Sequence, residues 1–141
     1  MLKYELTDYG VHFELGGKVT LEEIQEFSDR FHQFLDQTKG GFCVLADFKG
    51  VELISSAGKE IIAECQKNAR KNGMLRSVVI VKDTVTKYQF KTLARQTGIY
   101  VWERYIDASK HKNWEELAFS WLLDGYDPEI VSEQYTTVIT E

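Results

Sequence analysis

The chain has 141 residues, the usual size of one domain, and 43% are hydrophobic and 13% aromatic, which excludes an intrinsically disordered protein. A formal net charge of −5 leaves no dominant basic field, so nucleic-acid binding is not expected. No apolar run approaches the roughly 18 residues of a membrane span, and Met1-Leu2-Lys3-Tyr4-Glu5 carries no apolar signal core, which points to the cytoplasm.

Residues 3–8 and 11–16 alternate in polarity around the turn signal Asp8-Tyr9-Gly10, as in a β-hairpin. Thr20 and Glu23 have the spacing of a capping box. Leu21, Ile24, Phe27, Phe31, Phe34 and Leu35 follow at spacings of three and four, the inner face of a helix that stops by Gly40-Gly41. Phe42-Cys43-Val44-Leu45-Ala46 is a continuous apolar run ending in Asp47, which suits a strand buried on both faces.

A second helix is expected over about 56–72, with Ile61, Ile62, Cys65 and Ala69 inward and Gly73 past its end. Ser77–Val81 reads as another buried strand, and a third helix spans about 84–97 before Gly98. Tyr100 to Ile106 reads as a last, edge-type strand. Asn113 opens a final helix with Trp114, Leu117, Ala118, Trp121 and Leu122 inward. The order ββαβαβαβα gives an α/β fold, a mixed sheet with four helices. Residues 1–125 form one domain, and 126–141 is a tail that reads either as an added strand or as a disordered end.

Residues 42–81 carry a resemblance. An apolar strand ends in Asp47, an apolar turn follows (Val51, Leu53, Ile54), and Ser55-Ser56-Ala57-Gly58 opens a helix. This resembles the STAS domain shared by sulphate transporters and anti-sigma factor antagonists. Gly17-Lys18-Val19-Thr20 resembles that family's Gly-x-Leu-Asp. The likeness spans roughly residues 11–106, and the Trp114/Trp121-Leu122 helix looks more like a STAS/SEC14 branch.

The resemblance implies a non-enzymatic regulatory module with a prokaryotic style of regulation. Its protein partner would be an anti-sigma factor or kinase-like protein, contacting Thr20, Ser55, Ser56, Ala57, Gly58, Lys59 and Glu60. It also implies that Ser56 is the phosphoacceptor, and a helix N-terminus does favour a phosphate. The residues depart from the pattern, however. Ser55 and Thr20 stand where the family has Asp, Ala57 replaces a hydroxyl residue, and Lys59 replaces an apolar one. The expectation is therefore a degenerate phosphoswitch, with Ser56 also readable as a plain helix N-cap. The alternative function is a small-ligand or lipid-binding STAS/SEC14-like module.

Lys87, Lys91 and Arg95, at i, i+4 and i+8, form a basic stripe suited to an acidic partner or anionic head group, or else a solvated helix face. Tyr100, Trp102 and Tyr105 either pack under the final helix against Trp114 and Trp121, or face outward and support a homodimer through the sheet edge. Cys43 and Cys65 read as buried reduced thiols. His12, His32 and His111 have no metal-ligand neighbours, and no P-loop, nucleophile elbow or dinucleotide fingerprint occurs. Neither a metal nor a cofactor is expected.

Overall fold

A computed structural model describes residues 1–130. Strands β1 (Leu2–Thr7) and β2 (Gly10–Lys18) make the expected hairpin, with Tyr4 opposite Phe13. Gly10 is required at the turn: its φ is +147°, and a Cβ there would lie 2.1 Å from the Cys43 carbonyl oxygen. Helix α1 (Leu21–Gln37) leads to β3 (Phe42–Leu53), α2 (Ser56–Lys71) to β4 (Met74–Val81), and α3 (Thr84–Thr97) to β5 (Glu103–Asp107). Helix α4 (Trp114–Asp124) closes the order.

The five strands lie in sequence order, β1-β2-β3-β4-β5, with β1 antiparallel to β2 and all other pairs parallel. Successive crossovers of one hand in one direction leave their helices on one face. Strand alternation confirms the layering. Val11, Phe13, Val44, Ala46, Phe48, Val79 and Tyr105 pack with α1, α2 and α3. The intervening Cys43, Leu45, Val78, Ile80 and Ile106 pack with Leu117, Ala118, Trp121 and Leu122 of α4. The main core is aromatic: Phe13, Phe27, Phe31 and Phe48 are joined by ring contacts of 4.7–6.2 Å.

Three expectations need correction. The strand that begins at Phe42 does not end at Asp47 but runs on to Leu53, so Asp47 is a mid-strand residue on the α4 face. There it accepts from the Lys49 ammonium at 2.6 Å, and Lys49 lies 4.2 Å from the Trp114 ring centroid. Leu21 is exposed, because the first helical residue lies beyond the core edge. Tyr100 and Trp102 are not in the last strand. Ile99–Val101 is a 3-10 turn, and β5 begins only at Glu103. Both rings, with Tyr105, pack against the core on the α1–α3 side, and the Arg104 guanidinium lies 4.1 Å from the Tyr100 ring centroid and 4.5 Å from that of Trp121. Tyr100 and Trp102 are thus partly buried and not turned outward.

Candidate functional site

The parallel strands end, and α1, α2 and α3 begin, along one rim of the molecule. Thr20 caps α1: its Oγ1 accepts from the Glu23 N–H at 3.1 Å, and Glu23 Oε1 accepts from the Thr20 N–H at 3.3 Å. The N-cap of α2 is Ser55, whose Oγ accepts from the Gly58 N–H at 3.0 Å. Ser56 is therefore the first helical residue and not the cap. Asp83 caps α3 and accepts from the Thr86 N–H at 2.8 Å, a bond that lowers its carboxyl pKa. The rim is continuous: the Val19 N–H donates to the Leu53 carbonyl at 3.3 Å, and Lys82 Nζ reaches the Glu52 carbonyl at 3.0 Å.

Ser55, Ser56, Ala57 and Glu60 are exposed and Lys59 is half-buried, its ammonium 2.9 Å from Gln89 Oε1. Gly58 is buried, and a Cβ there would meet Ile54 Cγ2 at 3.0 Å. Around this turn lie large apolar side chains left in water: Leu21, Leu53, Val85 and Tyr88 are 54–69% exposed. Ser56, Lys59, Val85, Tyr88, Gln89 and Leu93 border a groove of 590 Å³ between α2 and α3. A smaller pocket of 220 Å³ lies below it, between Phe48, Val51, Ile54 and Phe90. Apolar surface gathered at one rim is the kind that binds partners.

The basic stripe lies on another face of α3. Lys91 Nζ is 2.7 Å and Lys87 Nζ 3.4 Å from the Glu129 carboxylate, whereas Arg95 is exposed with its guanidinium 5.1 Å from the Tyr100 ring centroid. Burial acts to raise the Glu129 pKa, but the bonds from Lys91 and Tyr100 outweigh it and the net shift is downward. Residues 131–141 of the expected tail lie outside the described residues.

A buried polar cluster centres on Glu103, a residue that the sequence patterns did not single out. Glu103 is only 2% exposed. Its carboxylate accepts from Ser77 Oγ at 2.7 Å, from Gln66 Nε2 at 2.5 Å and from the Tyr105 hydroxyl. Burial pushes its pKa up to about 7, although the three donors pull the other way. The phase of Glu103 with Tyr105 along β5 was the available clue.

Cys43 and Cys65 are buried free thiols whose pKa values burial raises. His32 is tied to the Ser28 carbonyl at 2.7 Å and to Asn68 at 3.2 Å. Among the described residues no group of His, Cys, Asp and Glu could hold a metal ion, and no helix is long and apolar enough to cross a membrane.

At the level of sequence, no family model and no curated protein matches the chain. Solved structures do. A Bacillus cell fate determinant, SpoIIAA in its phosphorylated form, is 12% identical with a TM-score of 0.56, covering 78% of this chain and 95% of that one. An anti-sigma-factor antagonist (STAS) domain protein from Planctomyces limnophilus is 17% identical with a TM-score of 0.52, covering 77% and 92%. The protein TM1081 is 18% identical with a TM-score of 0.53, covering 79% and 87%. With its sequentially ordered sheet, three helices on one face and one on the other, this chain has the STAS-domain fold.

Proposed function

We propose that the chain is a non-catalytic regulatory module whose protein partner docks on the rim around Ser55–Glu60 and Thr20. The observation that carries this reading is the concentration of exposed Leu21, Leu53, Val85 and Tyr88 around the N-terminus of α2, beside an open groove. Burying two or three such side chains contributes roughly 1.5–3 kcal/mol each before association costs. The likeness to an anti-sigma-factor antagonist supports a partner of the anti-sigma-factor type.

Ser56 is exposed at the first turn of α2, where free N–H groups and the helix dipole favour an added phosphate. Its neighbour Ser55, a hydroxyl where the resemblance implies Asp, is already committed to the cap. The switch is therefore degenerate: the rim binds its partner without stoichiometric phosphate on Ser56. The lower pocket supports small-ligand binding less well, since 220 Å³ falls below the ~300–1,000 Å³ usual for ligand sites.

The test is affinity capture from native cells with the wild type, Tyr88→Glu and Ser56→Glu, together with intact mass of the purified chain. A partner kept by the wild type and lost by both variants supports the rim. A partner kept equally by all three overturns it, and stoichiometric phospho-Ser56 overturns the degenerate switch.

A further inference from the structure

Opposite the end of α4, the chain's own acids sit in a site built from α3, the 3-10 turn and β5. Gly125, in the left-handed conformation at φ +74°, ends α4 and turns the backbone. Asp127 then meets Arg104 Nε at 3.2 Å. Two residues later the Glu129 carboxylate takes Lys91 at 2.7 Å, Lys87 at 3.4 Å and the Tyr100 hydroxyl at 2.8 Å. The Glu129 N–H donates to Asp127 Oδ1 at 3.0 Å, which fixes the spacing of the two acids around Pro128.

The side chains of Lys87, Lys91 and Arg104 are only 12–19% exposed. Cations withdrawn this far from water are costly unless anions meet them. Tyr100 adds a platform: Arg104, Arg95 and Lys91 lie 4.1, 5.1 and 5.5 Å from its ring centroid. Two carboxylates thus face three cations, Lys87, Lys91 and Arg104. Beside them a pocket of 170 Å³ remains open, bounded by Lys87, Lys91, Tyr105 and Leu117.

We propose that Lys87, Lys91, Arg104 and Tyr100 form a recognition site for acidic peptide, filled in cis by Asp127-Pro128-Glu129, and that an acidic segment of a partner protein displaces this strap. The strap is itself the evidence of ligand chemistry. Its two carboxylates engage different cations, a pattern that a single phosphate group does not reproduce. The tether is short, so the strap competes at an effective concentration of millimolar order. Tyr88 borders both this pocket and the groove beside Ser56. The site does not depend on the rim being the partner surface, and its test leaves the rim untouched.

The experiment uses the full chain, wild type and Asp127→Asn/Glu129→Gln, titrated with a blocked synthetic peptide of the sequence Tyr-Asp-Pro-Glu-Ile. Amide shifts of Lys91, Tyr100 and Arg104 report occupancy by NMR. The variant should bind the peptide at least ~5-fold more tightly than the wild type, because the competing strap is gone. Adding Lys91→Met, or amidating both peptide acids, should abolish binding. Equal affinity in wild type and variant, binding indifferent to Lys91, or no binding in either protein would overturn the site. Inorganic phosphate binding where the peptide does not would overturn the peptide assignment. In the otherwise wild-type chain, Lys91→Met should move the amides of Tyr126, Asp127, Glu129 and Ile130 toward random-coil shifts; unchanged shifts would show that Lys91 does not hold the strap.

Discussion

Two faces of α3 treat exposed chemistry in opposite ways. On one, Val85 and Tyr88 stay in water beside Ser56, over an open groove. On the other, Lys87 and Lys91 look equally available in sequence, yet both are met by a carboxylate 38 or more residues away. Unpaired charge is expensive to keep half-buried, so folding satisfies it locally, whereas exposed apolar groups cost little until a partner covers them. In the folded chain the apolar surface is open, whereas the charged stripe is occupied by the chain's own acid.

The largest effect is expected at the buried Glu103 of β5. Its folded pKa of about 7 lies above the ordinary 4.5, so between these values the folded state holds a proton that the unfolded state has lost. Stability attributable to Glu103 is full below about pH 4.5 and falls by roughly 3 kcal/mol as pH rises through 7. Urea unfolding of wild type and Glu103→Gln from pH 4.5 to 8 should show this slope only in the wild type. The difference between the two proteins separates Glu103 from His111, whose pKa is lowered from 6.5 by burial and by Lys87 and which acts with opposite sign. Parallel curves would mean that the carboxylate is not desolvated.

On the open side, Tyr88→Ala should weaken partner binding by at least tenfold, about 1.4 kcal/mol. Its thermal midpoint should stay within ~2 °C of wild type, since Tyr88 is 58% exposed. A large fall in midpoint with unchanged binding would reverse the comparison.

Smaller effects sharpen it. Ser55→Ala removes the acceptor for the Gly58 N–H and should cost about 1 kcal/mol in denaturant unfolding. Ser56→Ala should cost less than ~0.5 kcal/mol, because the exposed first helical residue caps nothing. Equal costs would make Ser56 the working cap.

Local signals in the sequence were sufficient for much of this. The Thr20/Glu23 capping box, the three-and-four spacing of Ile24, Phe27, Phe31 and Leu35, and the glycine after α3 each act within a few residues. The Ser55-Ser56-Ala57-Gly58 turn was legible at the start of α2 for the same reason. The second half of β3 was not, since Phe48-Lys49-Gly50-Val51-Glu52-Leu53 mixes buried and exposed positions and includes a glycine. The 3-10 turn Ile99–Val101 is too short to carry a period. The Glu103 cluster draws on α2, β4 and β5, and the Glu129 contacts join α3 to the end of the chain. No local pattern encodes pairings at such separations.

The most direct test of the central claim is site-specific photocrosslinking in native cells. A benzophenone side chain is placed at Tyr88 on the rim, or at Leu123, an equally exposed apolar position on α4. A protein adduct is expected from position 88, reduced by Ser56→Glu, and none from position 123. An adduct formed at 123 and not at 88 would contradict it.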